Sequence, residues 1–123
     1  MPRSARWRDR RFLPGQPFFA VFNFTVSHES SLFPGKRAKP PYRLKPSEID
    51  LPPYLPDLPE FRDDFAAYHE KLSQLDAQVG KVLDDLEKAG LAEDPIVFYY
   101  ADHGGALARG KRYLKDTGVR VPM

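Results

Sequence analysis

The stretch "EFRDDFAAYHEKLSQLDAQVGKVLDDLEKAG" (residues 60–90) carries the strongest structural pattern in this 123-residue sequence. Its apolar residues recur at steps of three and four positions, which places them on one face of a helix. They are Phe61, Phe65, Tyr68, Leu72, Leu75, Val79, Val82, Leu83 and Leu86. The pattern predicts one long amphipathic helix, from about 60 to 89, that packs against a core.

The ends of this helix are also marked in the sequence. Asp57 and Glu60 have the spacing of a capping box, and Pro59 is tolerated in a first helical turn. Gly90 can adopt the left-handed conformation that closes a helix. A coiled coil is the alternative interpretation of the same stripe, but the stripe spans only about four heptads. A helix that packs within a domain is therefore the preferred prediction.

Two apolar runs flank the helix, "PFFAVFNFTV" (17–26) and "PIVFYYA" (95–101). Both are rich in β-favouring residues and too short for a typical helix, so each is predicted to be a buried strand. A strand, a connection, a helix and a second strand form a βαβ unit with parallel strands and a right-handed crossover. The predicted fold class is therefore α/β.

Two further segments stand out by composition: a basic lead segment, residues 1–16, and a Pro-rich loop, residues 31–59. Proline fixes φ and lacks a backbone donor, so the second segment is predicted to be irregular. A loop of this length in a compact domain is usually functional or disordered. It is a candidate for one wall of a substrate site.

The composition narrows the classes of function. Lys and Arg number 19 against 17 Asp and Glu, so the charges nearly cancel and a nucleic-acid partner is not predicted. The absence of cysteine excludes disulfides, thiolate metal sites and a cysteine nucleophile, and leaves the compartment undecided. No apolar stretch approaches the roughly 18 residues that span a bilayer, so no membrane partner is predicted.

Residues that could bind a metal or take part in catalysis follow the two predicted strands, in "SHES" (27–30) and "DHGG" (102–105). Ligands of open α/β sheets bind beyond the carboxyl ends of the strands, so His28, Asp102 and His103 are expected to face one crevice. A carboxylate suits a hard cation such as Ca²⁺ or Mg²⁺. Residue type alone leaves the alternatives open, because Asp102 could simply bond nearby amides and His28 could be an ordinary loop histidine.

The remaining polar residues are one histidine and a basic cluster. His69 lies within the predicted helix and is expected at its surface. A basic cluster follows "DHGG", consisting of Lys111, Arg112, Lys115 and Arg120. Cations beside a metal site would suit an anionic substrate and a developing charge on a leaving oxygen. A solvated basic loop is the alternative for the same residues.

Several segments, in order, resemble the sulfatases of the alkaline phosphatase superfamily. They are "PFFAVFNFTVSHES", "YHEKLSQLDAQVGKVLDDLEKAGLAEDPIVFYYADHGG" with L-D-x-x-V-G at 75–80, and "GKRYLKDTGVRVPM". The resemblance covers roughly residues 15–123. It implies an internal fragment of a single sulfatase catalytic domain, 1–123, with a partial alkaline-phosphatase-like fold.

The resemblance also implies roles for individual residues. Asp102 and His103 match ligands of a divalent cation, usually calcium in this family, with magnesium as the alternative. Lys111 matches a lysine that contacts the sulfate. His28 matches a histidine that contacts the sulfate or protonates the leaving group. Lys115 stands where the family often has an aromatic residue, a departure that concerns packing or substrate fit.

The sulfatase nucleophile is missing from the sequence. Such enzymes attack with a formylglycine made from Cys or Ser in a C/S-x-P-S-R motif, and neither that motif nor the early Asp-Asp pair occurs here. The resemblance implies a sulfuric ester hydrolase whose formylglycine lies in an upstream segment, so the isolated chain is expected to be inactive.

The resemblance extends to the substrate class, though other activities stay open. "HESSLF" and "GKRYLKDTG" resemble the heparan-N-sulfatase-like branch. The implied substrate is a sulfate-ester or N-sulfo small molecule or carbohydrate. The alternatives are a phosphodiesterase or phosphonate hydrolase of the same superfamily, and a non-catalytic truncated paralogue.

Overall fold

The computed structural model describes residues 16–123; the predicted basic lead segment lies almost wholly outside the described residues. Two short 3-10 helices, Glu29–Leu32 and Pro46–Glu48, precede a long helix α1 at Pro59–Lys88. A four-residue helix α2, Asp116–Val119, follows near the end of the chain. No helix within residues 16–123 has the length and apolar character needed to cross a membrane.

Helix α1 confirms the predicted long helix, with 30 residues and a length of about 45 Å. Its carboxyl end closes at Gly90, which has a φ of 67°. The Gly90 N–H donates to the Glu87 carbonyl at 2.8 Å, and the Leu91 N–H donates to the Leu86 carbonyl at 3.2 Å. This pair of bonds is a Schellman motif, so the predicted role of Gly90 is confirmed.

The amino end of α1 differs from the predicted capping box. Leu58 is the N-cap residue and makes no side-chain cap. The Asp57 carboxylate instead accepts two hydrogen bonds from the Arg62 guanidinium, at 2.5 Å from Nε and 2.9 Å from NH2. A charged, two-point contact is stronger than a single cap bond to a neutral amide, so Arg62 outcompetes the helix end for this carboxylate.

The Pro-rich segment packs on the first half of α1 and forms the core of the described structure. Arg62 crosses from the helix to donate to the Ile49 carbonyl at 2.6 Å, and Arg37 pairs with Asp63 and Asp64. Small helical residues allow this close approach. The buried cluster consists of Tyr42, Ile49, Ala66 and Ala67, with Ala38, Leu44, Leu51 and Phe65 packed around it.

The predicted α/β fold, a partial alkaline-phosphatase-like fold built on a βαβ unit with parallel strands, is wrong. Residues 16–123 contain no strand and are helical where they have regular structure. The two apolar runs, 17–26 and 95–101, have no regular secondary structure, and Phe19 and Ile96 are 92% and 83% exposed. A β-rich composition favours strands, but a strand also needs partners for its N–H and C=O groups. The described chain forms no β-ladder with either run.

Candidate functional site

Residues 102–120 form a compact loop held together by backbone hydrogen bonds. The Gly104 N–H donates to the Gly118 carbonyl at 2.8 Å, and the Lys111 N–H donates to the Gly105 carbonyl at 3.0 Å. A Cβ at Gly104 would overlap the carbonyl oxygen of Thr117. Glycine is therefore required here because two stretches of backbone approach too closely for any side chain.

Helix α1 supports this loop through Tyr68. The Tyr68 ring lies against Gly105, where a Cβ would stand 3.5 Å from the hydroxyl oxygen. Burial raises the pKa of the Tyr68 hydroxyl, although a hydrogen bond with the backbone of Ala106 acts in the opposite direction. The predicted apolar stripe thus includes a residue that holds the turn directly after Asp102 and His103.

Asp102 and His103 lie side by side at the start of the loop. The Asp102 side chain is 88% exposed, and its Oδ2 is 3.7 Å from Nε2 of His103. The other ring nitrogen, Nδ1, lies 2.8 Å from the Gly104 carbonyl oxygen. A carbonyl can only accept a hydrogen bond, so Nδ1 carries the hydrogen and neutral His103 keeps its lone pair on Nε2.

His28 stands at the start of the first 3-10 helix and is its N-cap. Its Nδ1 accepts a hydrogen bond from the Ser30 N–H at 3.2 Å, and lies 3.0 Å from the Ser30 hydroxyl. An N–H can only donate, so Nδ1 holds a lone pair and the ring proton is on Nε2. His28 therefore presents a donor, whereas His103 presents an acceptor.

Glu29 links the His28 segment to the basic loop. Its Oε1 is 3.3 Å from Nζ of Lys111, and its Oε2 is 2.8 Å from NH2 of Arg112. Partial burial is the largest influence on the pKa of Glu29 and acts upward. The hydrogen bond to Lys111 and the charges of Arg112, Lys111 and His28 act downward, and together they hold this pKa below its usual value.

These contacts join some of the predicted site residues and leave others apart. Lys111 is the central one, because its side chain meets Glu29 and its N–H meets Gly105. His28 contacts Ser30, and Asp102 contacts His103. The link between the two histidine-bearing segments therefore passes through Glu29 and Lys111.

Two contributors to this arrangement were not predicted as site residues. Glu29 could have been found from charge, since it adjoins His28 and is opposite in sign to the Lys111–Arg112 pair. The contact of Tyr68 with the loop has no local signal, because the residue fits the apolar stripe equally well as a core residue. His69 is exposed, as predicted.

An open groove of about 180 Å³ lies between α1 and the loop. It is lined by Tyr54, Phe65, Tyr68, His69, Leu72, Gly105, Leu107, Ala108, Gly110 and Thr117. Neither the two predicted cation ligands nor Lys111 or His28 lines it, so it plays no part in the candidate site.

The donors available for a metal are limited. In the part of the chain that the structure describes, no group of three or more His, Cys, Asp or Glu residues could hold a metal ion. Asp102 offers a carboxylate oxygen and His103 a ring nitrogen with a free lone pair. The pair fits a partial coordination shell and cannot by itself complete one.

Comparison with known proteins decides the family. The model of the family described as Sulfatase matches residues 10–123. The chain belongs to the sulfatase family. This confirms the resemblance seen in its motifs.

Individual sulfatases match different shares of the chain. An ulvan-active sulfatase from Formosa agariphila (strain DSM 15362 / KCTC 12365 / LMG 23005 / KMM 3901 / M-2Alg 35-1) is 36% identical over 97% of this chain and 25% of its own length. The N-sulphoglucosamine sulphohydrolase of Homo sapiens is 30% identical over 68% of this chain and 16% of its own length. The chain thus spans about a quarter or less of these curated relatives. No solved structure matches it.

Proposed function

We propose that this chain supplies part of the cation-binding and sulfate-binding site of a sulfuric ester hydrolase. One observation carries the proposal: Glu29 connects the segment of His28 to Lys111, and the Lys111 backbone is hydrogen-bonded to the turn that follows Asp102 and His103. Membership of the sulfatase family supports the reaction class. The contacts support the assignment of four residues from distant parts of the sequence to one site.

Asp102 and His103 are proposed to hold a divalent cation, calcium or alternatively magnesium. The Nδ1–H bond of His103 to Gly104 supports this role, because it orients the ring and leaves Nε2 free to bind a metal. Asp102 is exposed and supplies a hard oxygen donor. A bound cation would neutralise negative charge on the sulfate. Further ligands would have to come from outside this pair.

Lys111 and His28 are proposed to act on the sulfate group. The Lys111 side chain is 17% exposed, and an ammonium partly shielded from water attracts an anion more strongly than one in bulk water. His28 holds its proton on Nε2 because Nδ1 accepts from Ser30. It can therefore donate a hydrogen bond from Nε2 to a sulfate oxygen. Transfer of a proton to the leaving alcohol or amine would require the imidazolium form, in which Nδ1 donates to the nearby Ser30 hydroxyl.

The nucleophile is assigned to none of these residues. The 123-residue sequence has no cysteine and no C/S-x-P-S-R motif, so a formylglycine is proposed to come from a segment other than those seen here. The chain is expected to bind ligands of the active site without turning over a sulfate ester. Sustained hydrolysis of an aryl sulfate by the isolated chain with calcium, lost in Asp102→Ala, would contradict this division.

The substrate is proposed to be a sulfated carbohydrate, carrying either a sulfate ester or an N-sulfo group. The names of two relatives support this class, since one is an ulvan-active sulfatase and another an N-sulphoglucosamine sulphohydrolase. The motifs "HESSLF" and "GKRYLKDTG" point in the same direction.

The cation assignment is tested by calorimetric titration of the chain with calcium. Weak, saturable binding is expected, because only part of the coordination shell is present. Asp102→Ala should abolish it, since the hard oxygen donor is lost. Asp94→Ala removes an exposed carboxylate eight residues earlier and should leave binding unchanged. Equal binding by the wild type and Asp102→Ala would refute the assignment.

A further inference from the structure

The Glu29 carboxylate contacts two neighbouring cationic side chains, one with each oxygen. One oxygen faces the Lys111 ammonium at 3.3 Å and the other forms an ion pair with the Arg112 guanidinium at 2.8 Å. The side chains of Glu29 and Lys111 are 20% and 17% exposed, whereas that of Arg112 is 67% exposed. The Glu29 and Lys111 side chains are therefore partly shielded from water, so the attraction between their charges is less screened.

The charges of this cluster do not cancel. One carboxylate faces two cations, so the trio keeps a net positive charge that can attract an anion. Arg112 lies beside the second oxygen of Glu29 and offsets part of its negative charge. Lys111 is therefore oriented by the carboxylate without being neutralised by it.

A lysine needs such a partner if it is to hold one position. Its ammonium is carried on a flexible four-carbon stem, and many rotamers are open to it when no partner is present. The backbone of Lys111 is already fixed by its bond to Gly105. Glu29 constrains the remaining freedom at the far end of the side chain.

We propose that Glu29 is a positioning residue for the anion site: it orients the Lys111 ammonium, with Arg112 as the second anchor, and does not itself contact the sulfate. This inference rests on the proposed function, because it takes Lys111 as the sulfate contact. It adds to that function a residue that sets the distance between the His28 segment and Lys111.

Glu29→Gln tests the inference, with Glu70→Gln as the matched control. Gln keeps the length of the side chain and one acceptor oxygen, but loses the charge and the second acceptor. Glu70 has a side chain 19% exposed, and it ties a different loop to α1 by accepting from the Arg43 N–H at 3.1 Å. The two variants therefore remove comparable carboxylates, only one of which faces Lys111.

Two measurements on the 123-residue chain separate positioning from general stability. The first is the mobility of the Lys111 side chain by NMR relaxation, and the second is the affinity for inorganic sulfate. Glu29→Gln is expected to raise the mobility and to weaken sulfate binding by about tenfold. Glu70→Gln is expected to change the affinity by less than about twofold.

The sign of the affinity change is informative. Removal of a negative charge would by itself strengthen anion binding, so weaker binding reports lost positioning. Tighter sulfate binding in Glu29→Gln, unchanged Lys111 mobility, or equal effects of the two variants would overturn the inference. If circular dichroism shows that Glu29→Gln does not fold, Glu29→Asp replaces it. Asp keeps the charge but is too short to reach both cations, so an intermediate weakening is expected.

Lys111→Met distinguishes failure of this inference from failure of the proposed function. If Lys111→Met binds sulfate as well as the wild type, the proposed sulfate contact is wrong, and the mobility of Lys111 still decides whether Glu29 orients it. If Lys111→Met weakens binding and Glu29→Gln does not, only the positioning role of Glu29 is lost.

Discussion

The Pro-rich segment and the two apolar runs differ sharply in the solvent exposure of their apolar residues. Within the Pro-rich segment, Ile49 is 3% exposed and Tyr42 is 9% exposed, both packed on α1. In the apolar runs, Phe19 is 92% exposed and Phe98 is 73% exposed. The two apolar runs are thus less buried at these positions than the Pro-rich segment, although their sequences are more hydrophobic.

The difference lies in the partners that each region requires. Prolines lack an N–H, so the Pro-rich segment has fewer backbone donors to satisfy and can pack through side chains. Its carbonyl at Ile49 is satisfied by Arg62. The apolar runs keep almost all their N–H groups and need a neighbouring chain segment to bury them. Burial follows from the availability of partners and not from apolar composition alone.

Truncation of one side chain in each region is the strongest test of this comparison. Ile49→Ala is expected to lower the free energy of unfolding by about 2–4 kcal/mol, because it leaves a cavity in the core. Phe98→Ala, the matched truncation in an apolar run, should cost less than about 0.5 kcal/mol, since its ring is largely exposed. Urea unfolding followed by circular dichroism measures both. Equal costs would break the comparison.

A pair of glycine substitutions extends the test to the loop of the candidate site. Gly104→Ala is expected to destabilise the chain by about 1–3 kcal/mol, because the new Cβ would overlap the Thr117 carbonyl. Gly80→Ala meets nothing within 4 Å in the middle of α1 and should stabilise it by about 0.5–1 kcal/mol.

Thermal unfolding of the two glycine variants measures these changes in stability. Opposite shifts of the melting temperature are expected, downward for Gly104→Ala and upward for Gly80→Ala. Shifts of the same sign would show that the tight packing of the loop is not a feature of the protein in solution.

The smallest expected effect is a pH dependence of the anchor between the Pro-rich segment and α1. The hydrogen bond from Arg62 is the largest influence on Asp57 and lowers its pKa below the ordinary value of 3.8. A lowered folded-state pKa means that the anchor contributes stability above pH 3.8 and loses it as the pH falls through the lower, folded value. The effect is small because the Asp57 side chain is 69% exposed and screened.

Acid titration of the wild type and Arg62→Met checks this sign. The wild type should lose more stability than the variant as the pH falls below 3.8, because only the wild type has an anchor to lose. Added salt should reduce the difference. Identical acid dependence in the two proteins would show that the Asp57–Arg62 pair does not anchor the segment.

The sequence predicted some features of the fold and the site and missed others. It predicted α1 and its end at Gly90, and its motifs led to the sulfatase family. The two predicted strands were wrong, because β-favouring residues do not by themselves supply the neighbouring strand that a sheet requires. The predicted capping box at Asp57 was wrong, because the Arg62 guanidinium binds the carboxylate in place of the helix end. The roles of Asp102, His103, Lys111 and His28 stay predictions.

By itself, the sequence determined α1, the left-handed residue that ends it, and the order of motifs that marks a sulfatase. These features depend on residues a few positions apart, so they can be read along the chain. Only the tertiary structure decided that Glu29 meets Lys111, that Tyr68 supports Gly105, and that neither apolar run forms a strand. Contacts between residues distant in sequence depend on how the whole chain packs, and no local pattern specifies them.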